Sequence, residues 1–145
     1  MISIYTGFRS SRSLKMGTVK QIILIRKDLK MRRGKEIAQG SHASMEFLVS
    51  RVRRNLNQLP GTTIELSDAE RTWIIEGMGK VCLQVDSEEE LLAHHHRALG
   101  LGIVSHLIRD SGRTEFGGIP TLTACALGPD EAERIDAITG DLRLY

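Results

Sequence analysis

The chain has only two cysteines, and no C-x-x-C spacing joins them. Cys82 and Cys125 each fall within an apolar run, which predicts reduced, buried thiols and a cytoplasmic setting rather than a disulfide or zinc site. No apolar run approaches the roughly 20 residues that span a bilayer, so no membrane association is expected. The segment from Met1 to Lys15 carries Arg9, Arg12 and Lys15 but no continuous apolar core, against a secretory signal. Spacings of the G-x-S-x-G, H-E-x-x-H and zinc-finger types are missing, as are internal repeats, which removes the common hydrolase and metal signatures. His94-His95-His96 is a run of metal-ligating type, but three consecutive helical positions fan outward and cannot converge on one ion. These histidines are expected at the surface.

What remains is a chain of 145 residues, 41% hydrophobic and 26% charged, long enough for one globular domain with a real core. Its net charge of +2 hides an asymmetry. Residues 1–54 hold 13 Lys/Arg against 3 Asp/Glu, a net of +10, whereas residues 55–145 hold 7 against 15, a net of −8. That split predicts a basic face for a polyanion, unless folding intermingles the charges.

Residues 1–19 show no sustained period and are expected to form a flexible extension ahead of a domain over 20–145. Residues 20–26 read as a buried first strand, because a β-branched run without alternation suits a sheet covered on both faces. A helix is expected from Lys35 to Arg54, with Ala38, Ser41, Met45, Leu48 and Val52 on its core face and Lys35, Gln39, His42 and Glu46 on a neighbouring polar stripe. Asn55 to Ile64, containing Pro60-Gly61, reads as a linker. Capping-box patterns at Ser67-Asp68-Ala69-Glu70 and Ser87-Glu88-Glu89-Glu90 open two further helices, the second ending near Gly100 or Gly102. Lys80–Val85, Ile103–Ile108 and Thr121–Leu127 read as strands, and a last helix begins at Asp130 and closes at Gly140. The order β-α-α-β-α-β-β-α predicts an α/β domain: a small mixed sheet with helices packed on its faces.

Two polar loops follow apolar strands. In the first, Arg26 to Lys35, six of ten residues are basic. A P-loop is excluded, since Leu29 stands where the early glycine is required and Glu36 follows Lys35. A helix start beside Lys30, Arg32, Arg33 and Lys35 still suits phosphate, through dipole and charge together; a solvated basic loop is the plainer alternative. In the second loop Asp110 lies between Arg109 and Arg113, whose cations should keep it ionised, fit to orient water or hold a lysine. A structural Arg–Asp pair closing a turn at Gly112 explains the same residues. Thr114, Thr121 and Thr123 offer hydroxyl donors, though threonines at i, i+2 also follow from β-propensity. His42 is a candidate base that reads more simply as a packed helix histidine.

Taken in order, these segments resemble the archaeal/eukaryotic-type (type 2) peptidyl-tRNA hydrolase family. The resemblance rests on Arg26-x-Asp28-Leu29-Lys30-Met31-x-x-Gly34-Lys35-x-x-Ala38-Gln39-x-x-His42-Ala43, on Ser87 to Leu91, and on Ile108-Arg109-Asp110-x-Gly112-Arg113-Thr114. Thr121-x-Thr123, Leu127-Gly128-Pro129 and Ile135-Asp136-x-x-Thr139-Gly140-x-Leu142 complete it, over about residues 20 to 145. It implies a four-stranded mixed sheet sandwiched between helices, a homodimer, no metal or organic cofactor, and cleavage of the ester joining a peptide to the 3′-terminal ribose of tRNA.

The implied active-site groups are Lys35, Asp110, Thr114 and Thr123, with Gln39 and His42 lining the same cleft. Asp110 is then expected to position or activate water while Lys35 and a threonine hydroxyl hold the oxyanion. Lys30, Arg32, Arg33, Arg109 and Arg113 are expected to contact tRNA phosphates. The sequence departs from the family pattern at Arg32-Arg33, where Gly-Lys is usual, at Ile37, where a small residue is usual, and at Glu115, where glutamine is favoured. Segment 50–79 is also longer than usual. Glu115 adds a negative charge beside the site, expected to alter the proton affinity of Asp110 or the substrate preference. A tRNA- or protein-binding module that keeps the fold without turnover is the alternative.

Overall fold

The computed structural model describes residues 18–57 and 63–145; the expected extension, up to residue 17, and the middle of the expected linker lie outside them. The elements are β1 (Val19–Arg26), α1 (Arg33–Asn55), α2 (Asp68–Ile75), β2 (Lys80–Val85), α3 (Glu88–Gly100), β3 (Ser105–Asp110), β4 (Thr121–Glu131) and α4 (Ala132–Thr139). The strands form one four-stranded sheet in the order β2-β1-β4-β3. β1 pairs parallel to β2 and antiparallel to β4, and β4 pairs antiparallel to β3. The carboxyl ends of β1, β2 and β3 therefore share one margin of the sheet with the start of β4. Both polar loops leave from that margin, as open α/β sheets place their sites.

Each face of the sheet is covered. On one face Ile22, Leu24, Cys125 and Leu127 pack against Leu91 and Ala98 of α3 and Ile135 and Ile138 of α4. On the other, Ile23, Ile25, Ala124 and Ala126 meet Ala43 of α1, while Phe47 of α1 and Trp73 of α2 pack with Val19. Those two rings meet edge-on, 5.9 Å between centroids. Burial on both sides is why β1 reads as a continuous apolar run.

The capping box at Ser67 forms in full: its hydroxyl accepts from Glu70 N–H and the Glu70 carboxylate accepts from Ser67 N–H. At Ser87 only half of it forms, for Glu90 turns its carboxylate to Asp86 N–H instead.

α1 buries a different face from the expected one. Gln39, Ala43 and Phe47 point inward, whereas Ala38, Ser41, Met45 and Val52 are exposed and Leu48 is half-buried. Apolarity alone misidentified the core stripe. Small Ala43 is what permits close approach to the sheet, and buried Gln39 is tolerated because its amide is bonded. The exposed apolar flank, with Ile37 and Met45, overlooks a groove of about 500 Å³ that reaches Cys82 and Tyr145. Cys125 is buried as expected, but Cys82 is exposed, because β2 is an outer strand that α1 does not cover. The histidine run is also not wholly superficial: His95 is half-buried and its Nδ1 lies 2.7 Å from Ser105 Oγ.

The two outer edges of the sheet differ. Beside β2, the C-terminal segment adds a short antiparallel pairing, with Leu83 bridged to Leu144, Tyr145 N–H donating to Cys82 C=O and Gln84 N–H donating to Arg143 C=O. Among the described residues, no main-chain segment pairs with the outer edge of β3.

Candidate active site

Lys35 lies in the first turn of α1, close to the carboxyl end of β1, and Asp110 is the last residue of β3. Alternation along β3 sends Ile108 into the α1-side core, and Asp110, two residues on, follows it. Lys35 Nζ stands 2.7 Å from Asp110 Oδ1 and 2.9 Å from Thr114 Oγ1. Gln39, one helical turn after Lys35, donates its amide to the same carboxylate oxygen at 3.3 Å. Thr123 donates its hydroxyl to Gln39 Oε1 at 2.5 Å. Residues 35, 39, 110, 114 and 123 thus form one continuous hydrogen-bonded chain.

Thr123 reaches α1 because of a bulge. Ile108 pairs with Ala124 but Arg109 pairs with Leu122, which leaves Thr123 as the extra residue in β4. The bulge lets Thr123 and Ala124 both face α1. Thr123 is fully buried, so its hydroxyl works behind Gln39 rather than at the surface.

The side chains of Lys35 and Asp110 are 14% and 13% exposed, largely desolvated yet still reachable. The Lys35 ammonium holds the Asp110 carboxyl below the usual carboxylate range. Burial opposes that shift, while the Gly112 N–H at 2.9 Å from Oδ2 and the Gln39 amide support it. The cation responsible is Lys35, 75 positions away in sequence. Arg109 and Arg113, expected from sequence to fill that role, are both exposed. The Lys35 ammonium also sits 5.8 Å from the centre of the Phe116 ring, a contact that sequence reasoning did not single out.

Gly112 is required by the backbone. It adopts φ +78, and a Cβ there would lie 2.2 Å from the Ile119 carbonyl oxygen. Gly112→Ala is expected to destabilise the fold by about 2 kcal/mol or more, from the left-handed conformation and the clash together. The loop must shift, so the N–H to Asp110 is lost and the Asp110 carboxyl titrates at higher pH. Urea denaturation and NMR titration of Asp110 read the two effects separately.

Around this centre lie the other basic residues. Lys30, Arg33 and Arg113 are exposed, and no described carboxylate forms an ion pair with them. Arg32 pairs with Glu115 at 2.8 Å. Two of the departures from the family pattern thus neutralise each other, and the Glu115 charge is taken up by Arg32. His42 is exposed and, with Glu46, Arg53, Leu107, Ile108 and Arg109, lines a polar groove of about 330 Å³ beside Asp110. Arg26, at 8% exposure, bonds Asp28, Glu88 and the Leu122 carbonyl, locking the end of β1 to the first loop, α3 and β4. Sequence reasoning gave it no place in the site; its position at the end of a strand with a following Asp28 was the available signal. Among the described residues, no group of three or more His, Cys, Asp or Glu side chains is placed to hold a metal ion.

Comparison with known proteins identifies the family. The family model described as peptidyl-tRNA hydrolase PTH2 matches residues 19–145. A protein from Nanoarchaeum equitans named peptidyl-tRNA hydrolase is 44% identical over 127 residues, 88% of this chain and 99% of its own length. Another of that name from Methanocaldococcus jannaschii is 40% identical over 126 residues, 87% of this chain and 99% of its own. A probable peptidyl-tRNA hydrolase 2 from Dictyostelium discoideum is 37% identical over 130 residues, 90% of this chain but 56% of its own. A match of this extent, over all the elements that build the Lys35–Asp110 centre, places the chain in the peptidyl-tRNA hydrolase PTH2 family.

Proposed function

We propose that this chain hydrolyses peptidyl-tRNA, with Lys35 and Asp110 as its chemical centre. The observation that carries the reading is the Lys35–Asp110 pair, bonded at 2.7 Å and accessible at the margin where the strand ends meet. Water attacks the ester carbonyl, the tetrahedral oxyanion collapses, and the ribose 3′-oxygen leaves as a hydroxyl, giving a free peptide carboxylate and tRNA.

The donor inventory supports this division of work. An ammonium has three N–H donors. Lys35 spends two, on Asp110 and Thr114, and has one for the oxyanion. Thr114 accepts from Lys35, so its own hydrogen is available to the same oxygen. A carboxylate offers about four acceptor positions, and three of those on Asp110 are taken by Lys35, Gln39 and Gly112. The fourth orients water. Thr123 acts through Gln39 as a positioning residue. Lys30, Arg33, Arg109 and Arg113 are the phosphate contacts in this reading, with Arg32 engaged by Glu115 and His42 beside the groove.

We further infer a homodimer, for which the exposed Ile37 and Met45 supply apolar surface, and a cytoplasmic site of action, where its substrate arises. Among the described residues no helix is long and apolar enough to cross a membrane.

The purified protein is expected to release the blocked amino acid from acetyl-aminoacyl-tRNA and to leave unblocked aminoacyl-tRNA intact. Binding of the blocked substrate with no release would identify a tRNA-binding module instead.

A further inference from the structure

A peptidyl-tRNA hydrolase meets peptides of every sequence, so the constant feature of the acyl group is its main chain. An exposed strand edge recognises main chain and ignores side chains. This protein has such an edge beside its reactive centre. β3 is an outer strand of the sheet, and it ends on Asp110. The opposite outer strand, β2, is paired with the chain's own C-terminal segment. For β3, no backbone hydrogen bond from outside the β3–β4 ladder reaches Leu107 or Arg109 among the described residues.

The direction of those groups follows from the ladder. Gly128 N–H donates to Val104 C=O, so the main-chain groups of residue 104 face β4. In an antiparallel pair the facing groups alternate. Those of residues 106 and 108 therefore face β4, and those of Leu107 and Arg109 face outward. Their surroundings have room: the groove of about 330 Å³ is walled by His42, Glu46 and Arg53 of α1 on one side and by Leu107, Ile108 and Arg109 on the other.

We propose that this edge of β3 is the docking strand for the peptidyl group, which adds to it as a short parallel strand. The inference rests on the hydrolase reading of the Lys35–Asp110 site. A peptide whose esterified end lies at Asp110 runs in the same direction as β3, so the pairing is parallel. The third residue from the ester then donates its N–H to Leu107 C=O and accepts from Arg109 N–H. The esterified residue donates to Arg109 C=O. The second residue turns both groups away.

The test uses the unaltered protein and acetylated mono-, di- and trialanyl-tRNA. Two main-chain hydrogen bonds are gained, so kcat/KM is expected to rise roughly tenfold or more from the mono- to the trialanyl substrate. N-methylation of the third alanine from the ester removes the share of that gain supplied by its N–H, whereas methylation of the second leaves the gain in place. Equal kcat/KM for all three lengths overturns the proposal, and so does a gain indifferent to which nitrogen is methylated, while the hydrolase reading stands. Failure to hydrolyse any of them overturns both.

Discussion

Lys35→Ala is expected to lower kcat for acetyl-aminoacyl-tRNA by roughly 10²–10³-fold, the usual cost of one lost oxyanion donor. Asp110→Asn should fall at least as far, because it leaves Lys35 without its anionic partner and changes the group that orients water. Single-turnover assays at saturating substrate measure the chemical step, and circular dichroism checks that the variants are folded. Near-normal turnover of either folded variant removes that residue from the chemistry.

The same pair predicts a pH dependence. The Asp110 carboxyl is held below its usual range chiefly by the Lys35 hydrogen bond. A carboxyl depressed in the folded state adds stability that is present above its unfolded pKa of about 3.9 and is lost as pH falls through the lower folded value. Activity that depends on ionised Asp110 should therefore persist to pH values where an ordinary carboxylate is protonated. In Lys35→Ala the Asp110 carboxyl moves back up, which NMR titration detects.

Arg51→Ala is expected to be among the most damaging substitutions for stability. The Glu70 side chain is 1% exposed and receives both Arg51 nitrogens at 2.7 Å. Its carboxylate also caps Ser67 N–H, so one ion pair joins α1 to α2 and to the start of that helix. Removing one partner of a buried pair strands the other charge, at a cost of about 3 kcal/mol, the low end of the range since Arg51 is partly exposed. Urea denaturation at neutral pH measures it.

The sign of its pH dependence separates this cause from a mere loss of packing against Phe47. In the intact protein burial pushes the Glu70 carboxyl up, but Arg51 and Ser67 overcome it and hold it below the usual value. The pair thus contributes above the unfolded carboxyl pKa and fades as pH falls. Without Arg51 burial is opposed only by Ser67, the folded carboxyl rises, and the variant should regain stability as pH is lowered. Arg51→Ala combined with Glu70→Gln should recover much of the loss at neutral pH.

Much of the fold was legible along the chain because its signals are local. Ser67 and Ser87 marked helix starts, and Lys80–Val85 read as a strand with the observed ends. Strand β3 lies two residues later than expected, at Ser105–Asp110, and β4 runs on to Glu131, since polar strand ends resemble loops until the pairing is known. The core face of α1 was misread for a related reason. Met45 and Val52 are more apolar than Gln39 and Ala43, yet burial of the latter is decided by how closely the helix approaches the sheet.

Local composition and order were sufficient to determine an α/β chain and the two polar loops and, through resemblance, to single out Lys35, Asp110, Thr114 and Thr123 as site candidates. What only the tertiary structure decided is who meets whom. Asp110 has arginines beside it in sequence, but strand alternation turns it toward α1 and Lys35. One extra residue in β4 turns Thr123 to Gln39, and Arg32 finds Glu115 across 83 positions. Pairing across such separations depends on sheet register and helix placement, which are properties of the whole packed chain rather than of any segment.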